Sequence, residues 1–543
     1  LPETREGSIQ STIPYQSQIN PKSIPNQPSI LASFTFLSYA RSGIPLKFGI
    51  LLSKPLRRSL QQRAPHHQNS GNPVEPQNLN QQQTLPDHNR SLISRTLHEW
   101  KQLSILGAPV LVAQLAQMAN GVVDTMMAGH ASAKDLAGVG IGTSLWVPIL
   151  LFFTGTLNAL QPIISGHRGA GQTQKIMPAT WQGLYIAAVA SLLMILLLIN
   201  LEPVLRLLQL DDETTAIAQG YLDAFSWGIP ALLLLNALRG LTDGLGRTRV
   251  IMVFFLVSAI INLPLNYLFI YGFTVGSYTQ EAMGGIGCGW ATSISNWIAA
   301  IALLIYLNRS KHYTQFHLIG DWAKPVWSEI QAILKVGLPI GFTMFVEVSM
   351  FCMIALFLAP LGATTVAAHQ IVLNAVSLFF MVPLSLGMAL TLRVSFLVGA
   401  QDHDEARLLA RSSLLLGLII ACINAPILFF GRDFIATLYT SDLAVQKIAA
   451  SLMVLGAIFQ IFDIIQVTMI NVLRGYKDTK IPMLIMLLSF WGICLPLGYV
   501  LTFRDWLVEP VGAPGFWTAL IAGLICAAFL LTIRMFRFKA PTH

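Results

Sequence analysis

Between Leu103 and Arg537 one feature recurs along the chain: an apolar run of about twenty residues, closed by a short polar or basic link. A helix of about twenty apolar residues spans the hydrocarbon core of a bilayer, and a single water-soluble core could not absorb so many separate runs. The runs read as spans at 104–127, 136–162, 180–200, 217–237, 248–270, 287–307, 333–356, 367–392, 412–430, 446–470, 481–502 and 514–533. They predict an all-α polytopic membrane protein with 12 transmembrane helices. Charge agrees with that reading. Only 11% of the 543 residues are charged, where soluble domains carry about 25%.

The net charge of +8 comes from lysines and arginines set between apolar runs, not from a basic patch interleaved with aromatics, so no nucleic acid is expected as a partner. The five cysteines, Cys288, Cys352, Cys422, Cys494 and Cys526, lie in or beside apolar runs without a CxxC pair, so neither disulfide nor metal is expected of them. Residues 1–90 differ in kind. Gln, Asn and Pro crowd Pro65–Gln83, and nine basic residues stand against four acidic ones before Ser91, which predicts a disordered or targeting-like extension of unknown role.

An even number of spans puts both ends of the membrane region on one side. Twenty Lys and Arg residues, Arg239, Arg393 and Arg474 among them, fall in or near the links on that side and five on the other, which places both ends in the cytoplasm.

The two halves echo each other. LGAPV at Leu106–Val110 returns as VGLPI at Val336–Ile340, 230 residues on, and Asp135–Gly155 lies over Thr365–Ser385 at the same offset. Pro148 falls near Pro383 and Gly169 on Gly399, while LRGLTDG at Leu238–Gly244 faces LRGYKDT at Leu473–Thr479 at an offset of 235. Six spans separate equivalent positions, so the repeats share one topology, related by an axis along the membrane normal with a cleft between them. Two pseudo-symmetric six-helix bundles follow, one at 91–320 and one at 321–543. Pro109 and Pro339, Pro148 and Pro383, and Pro264 should interrupt their helices and give them places to bend.

Ionisable residues inside the apolar runs carry the functional signal. Asp124, Glu347 and Asp463 each sit well within a run, where a carboxylate costs roughly 2.5–3.5 kcal/mol to insert. Gln114, Gln117, Asn120 and Asp124 are spaced to share one helix face, as are Gln460, Asp463 and Gln466. Such stripes suit a water-filled cleft; Asn236 and Asn374 are further candidates. The carboxylates show no basic partner in the runs, a setting that favours cationic substrates. They could exchange protons as access alternates, or coordinate Na⁺ through oxygen. No Walker A run, HExxH or GxSxG appears in the spans, so neither an enzyme nor a cofactor is expected. The glycine-rich GGIGCGW at 284–290 precedes a span and reads as a tight turn or close backbone approach.

Four stretches carry a resemblance: PVLVAQLAQMANGVVDTMMAGH, GLPIGFTMFVEVSMF, LGATTVAAHQIVLNAVSLFFMVPLSLGMALTLRVSFLVG and NVLRGYKDTKIPM. Together they resemble the multidrug and toxic compound extrusion family, in its bacterial NorM-type branch, from about Leu103 to Arg537. The resemblance implies two six-helix lobes around a central cleft, exporting cationic or aromatic drugs in exchange for Na⁺ or H⁺. It implies cation coupling or substrate contact at Asp124, and cation binding, including Na⁺, with drug contact at Glu347 and Asp463. The family often has a tyrosine one turn before the last of these; Phe459 stands there, which puts the make-up of a Na⁺ site in doubt. Expected partners are small organic cations or drugs, a monovalent cation and membrane lipid, for a protein expected to be monomeric. The competing expectations are a lipid or lipid-linked sugar flippase, for which a more basic cleft is expected, and a non-transporting scaffold.

Overall fold

The computed structural model describes residues 91–538, apart from 208–209, 276–277, 314, 317, 319, 321 and 507–508. The expected extension at 1–90 lies outside the described residues. The first half contains α1 (Leu92–Ala131), α2 (Ala133–Leu157), α3 (Leu160–Gly169), α4 (Ile176–Ile199), α5 (Glu202–Leu207), α6 (Asp212–Ser226), α7 (Ile229–Gly244), α8 (Thr248–Tyr271) and α9 (Gly285–Arg309). The second contains α10 (Trp327–Leu358), α11 (Ala363–Gly399), α12 (His403–Tyr439), α13 (Leu443–Gly475), α14 (Lys480–Leu487), α15 (Leu495–Phe503) and α16 (Ala513–Arg537).

Among the described residues 11 helices are long and apolar enough to cross a membrane, and α6 with α7, bent by 47° at a short break, makes the twelfth span. All twelve runs read from the sequence are therefore occupied by helix. Two features depart from expectation. A two-stranded hairpin, β1 (Phe273–Val275) and β2 (Tyr278–Gln280), interrupts the all-α pattern between α8 and α9. The prolines do not break their helices either: Pro109, Pro148, Pro264, Pro339 and Pro383 all lie inside continuous helix. The breaks fall elsewhere, at Trp227–Gly228 between α6 and α7, at Asn158–Ala159 between α2 and α3, and in a π-helical turn at Leu488–Cys494 that joins α14 to α15.

The pseudo-symmetry is visible in atomic contacts. Two apolar clusters form, one mostly from α1–α9 and one mostly from α10–α16. Each takes residues from the opening helix of the other half: Leu103 and Leu106 of α1 pack in the second cluster, Ile333 and Ile340 of α10 in the first. Gly169 and Gly399 end equivalent spans and meet across the pseudo-axis. A Cβ at Gly399 would lie 2.1 Å from the Gly166 carbonyl oxygen, and one at Gly169 would lie 2.0 Å from that of Phe396. Gly166 and Phe396 are themselves 230 residues apart. Only glycine lets the two backbones approach so closely.

Helix ends also match. Gly171 and Gln401 follow α3 and α11 with positive φ, and Gly246 and Lys477 follow α7 and α13 in the same way. By this measure the second pair is 231 residues apart, so the LRG echo at 235 is about one helical turn out of register with the fold.

The halves are fastened together at the end that holds Leu92 and Arg537. Ser165 Oγ donates to the Leu392 carbonyl at 2.7 Å. Arg393 grips Glu99 with two parallel bonds of 2.6 and 2.7 Å, both side chains fully buried. Arg95 pairs with Glu405 one turn further out.

Candidate transport cavity

A cavity of about 320 Å³ lies between the halves, lined by residues of both. The polar face of α1 enters it. Gln114, Gln117, Asn120 and Asp124 all line the cavity, as does Asn236 of α7.

Asp124 is buried at 6% exposure and is held by two helices of its own bundle. Asn266 of α8 donates to one carboxylate oxygen at 2.6 Å, and Thr292 of α9 donates to the other at 2.9 Å. Asn262 closes the cage: its amide donates to Thr292 Oγ1 at 3.0 Å and its oxygen accepts from Asn266 at 2.9 Å. The carboxylate thus sits among neutral oxygens and amides, with no cation paired to it among the described residues. Ser258, Asn262 and Asn266 recur every four residues along α8, the same signature that marked α1, and the stripe could have been read from the sequence.

One wall of the cavity is aromatic. Trp146 and Phe225 stack at 4.2 Å between ring centroids, Tyr221 lies beside Phe225 at 6.1 Å, and Trp146 Nε1 donates to the Tyr221 hydroxyl at 3.3 Å. Flat, partly apolar faces of this kind bind aromatic ligands.

The charge of the cavity differs from expectation. Arg239 and Arg474, read as link residues, lie within α7 and α13 and line the same space as Asp124. The LRG motif closes each apolar run, which is why its arginine looked like part of a link. Arg239 is 3% exposed; it bonds Asp243 at 3.1 Å and Gln114 at 3.0 Å, and Gln161 also donates to Asp243, at 3.3 Å. Arg474 donates to Asn471 at 3.4 Å. Arg393, likewise counted with the links, is in α11 and is fully buried.

The second-half carboxylates stand apart. Glu347 of α10 is half-buried and Asp463 of α13 is buried, and neither lines the cavity. They interact electrostatically with each other, and Glu347 also with Arg474. Among the described residues neither makes a hydrogen bond or an ion pair. Beside Glu347, the Val346 carbonyl accepts from Trp491 at 3.4 Å, a contact delivered by the π-helical turn. The α13 stripe of Gln460, Asp463 and Gln466 faces inward, not the cavity, because α13 is enclosed by α11, α12 and α16. Among the described residues Gln460 is fully buried with both amide atoms unbonded, and Gln466 donates only to Met486 Sδ, at 3.2 Å. Phe459 packs between Phe351 and Trp517. Asn374 is exposed on α11, outside the cavity lining.

A family profile for MatE matches residues 109–268 and 339–500, one copy in each half. The chain belongs to the MatE family. Among similar proteins, the multidrug resistance protein PmpM of Pseudomonas aeruginosa is 42% identical over 440 residues, covering 81% of this chain and 91% of the relative. A probable multidrug resistance protein NorM of Idiomarina loihiensis is 40% identical over 439 residues, with 81% and 94% covered. These relatives place the MatE chain in the NorM-type branch. The fold matches that of the eukaryotic MATE transporter AtDTX14 with a TM-score of 0.75 at 19% identity, over 82% of this chain and 97% of that one. It matches the Vibrio cholerae MATE transporter VcmN in its bent form with a TM-score of 0.70 at 20% identity, over 82% and 98%.

Proposed function

We propose that this MatE chain is a multidrug efflux antiporter of the bacterial inner membrane, exchanging cationic or aromatic drugs for Na⁺ or H⁺ by alternating access. The observation that carries the reading is the cavity between the two halves, where a buried carboxylate without a paired cation faces stacked aromatic rings. Phe225 is buried at 2% exposure between Trp146 and Tyr221, so a flat organic cation gains stacking on the half-buried Trp146 and charge compensation from Asp124.

In this reading both ends of the membrane region are cytoplasmic, and the two six-helix lobes divide near residue 320. The present conformation is closed on the cytoplasmic side, where Glu99–Arg393 and Arg95–Glu405 join the halves. Asp124 is the site of cation exchange in the first lobe. A proton on the carboxylate, or Na⁺ among the Asp124, Asn262, Asn266 and Thr292 oxygens, serves equally well chemically. Glu347 and Asp463 form a second exchange site, coupled to the cavity through Arg474. Drug, monovalent cation and surrounding lipid are the partners of a monomer that carries no cofactor and catalyses no covalent step.

The flippase reading gains one specific observation, because Arg474 brings a cation to the cavity with no carboxylate at ion-pair distance among the described residues. Efflux of a fluorescent cationic dye from proteoliposomes, with Na⁺ and pH gradients imposed separately, tests the proposal. Gradient-driven dye efflux is expected. Lipid translocation with no dye movement under either gradient would favour the flippase.

A further inference from the structure

A second recess, of about 420 Å³, opens at the terminus-side end, away from the central cavity. It is formed by the end of α3 and the start of α4 on one side, and by the first turns of α10 and the loop after α13 on the other. Its wall is mostly isoleucine, valine, proline and alanine. Set into that wall are His167, Lys175 and Lys477, with one carboxylate, Glu329.

Lys477 is the informative residue. It holds φ at 62°, a left-handed conformation that a side chain disfavours, at the position where the first half has Gly246. Both residues close the same helix-ending turn: the Arg247 amide bonds the Thr242 carbonyl at 2.8 Å, and the Asp478 amide bonds that of Leu473 at 3.0 Å. A glycine would do this job with less strain, so the lysine side chain needs a reason of its own. That side chain crosses to the other half, where its Nζ lies 3.6 Å from the place a Cβ on Gly166 would take, next to His167. Lys175 and Lys477 make no ion pair among the described residues, and the protein mass around Lys477 lowers its pKa from the ordinary lysine value.

We propose that this recess binds the phosphodiester of an anionic membrane phospholipid, held by Lys477, Lys175 and His167, so that the lipid ties the two halves together. Two ammonium groups against one carboxylate leave one positive charge, which a singly charged phosphodiester neutralises. The depth fits a headgroup. Trp322 and Trp327 flank the start of α10 at 57% and 67% exposure, as tryptophans do at a membrane–water interface. The recess is also preformed. Gln182 and Tyr185 of α4 hold the approach to α10 by bonds to Lys324, Val326 and Ala323 of 2.8–3.0 Å. The lipid would come from the cytoplasmic leaflet, and only that naming rests on the orientation given under the proposed function.

The test reads binding, not transport, so its failure is separable from failure of the efflux reading. The thermal midpoint of the full chain in detergent is followed while titrating dioctanoyl phosphatidylglycerol, dioctanoyl phosphatidylcholine or inorganic phosphate. Wild type should show a saturable rise with phosphatidylglycerol and little with the other two. Lys477→Gly should keep or raise the lipid-free midpoint and bind phosphatidylglycerol about fivefold more weakly, and Lys175→Gln with Lys477→Gly about twenty-five-fold more weakly. Lys477→Arg should restore binding. An equal rise with inorganic phosphate would overturn the lipid assignment in favour of a free anion. An unchanged lipid response in Lys477→Gly, with a lower lipid-free midpoint, would overturn the site and leave Lys477 as a cation for the carbonyl end of α3.

Discussion

Glu99→Gln should open the end of the molecule that the Glu99–Arg393 pair closes. Glu99 lies on α1 and Arg393 on α11, both fully buried, with two bonds of 2.6 and 2.7 Å between them. While that end is closed, the substitution leaves the guanidinium buried opposite a neutral amide. Once the end opens, water can solvate it. Removing one partner of a buried pair costs about 3–5 kcal/mol, and each ~1.4 kcal/mol is a factor of ten in a population. The open-to-closed ratio should therefore rise by roughly two orders of magnitude or more. Spin labels at the exposed Gln172 and Gln401, in a background without the five native cysteines, report the distance across that end. Wild type should give one short distance and Glu99→Gln a dominant longer one. Replacing both partners by methionine should bring the short distance back, since the closed state then buries no charge. An unchanged distribution in folded Glu99→Gln would refute the assignment of this pair as the fastening of the closed end.

Asp124→Asn should leave the protein in the membrane but abolish dye efflux driven by either gradient; retained gradient-driven efflux would remove Asp124 from coupling. Glu347→Gln should keep membrane levels unchanged and lose coupled efflux, read by the same dye assay. Trp146→Ala should weaken binding of a planar aromatic dye about two- to tenfold, from loss of a stacked face worth about 0.5–1.5 kcal/mol, as measured by dye titration. Gly399→Val places branched carbon against the Gly166 carbonyl. It should cost about 1–3 kcal/mol, seen as a lower thermal midpoint or as the longer spin-label distance.

The membrane fold was legible because span length and apolar patterning are set by the bilayer, and each of the twelve runs became helix. The repeat was legible where it reflects backbone contact: Gly169 and Gly399 align in sequence because both must let a neighbouring carbonyl approach. The α1 stripe reads as a cavity face for the simple reason that its neighbours are apolar. The shorter stripe on α13 reads the same way yet is enclosed by other helices. Periodicity shows that a face is polar but does not name what it meets. Arg239, Arg393 and Arg474 were obscured by their place at the ends of apolar runs, where a charge looks solvated until a neighbouring helix covers it. The bend at Trp227–Gly228 and the π-helical turn at Leu488–Cys494 do have local marks, Gly228 with Pro230 and Pro496, but each lies inside an apolar run, where span length dominates the reading.

Antiport is reversible, so a drug gradient alone must drive its coupling cation the other way. Proteoliposomes loaded with a pH- or Na⁺-sensitive reporter, given a cationic drug gradient and no ion gradient, test this most directly. The account predicts cation movement opposite to the drug in wild type and none in Asp124→Asn. Drug movement in wild type with neither pH nor Na⁺ responding would contradict coupled exchange.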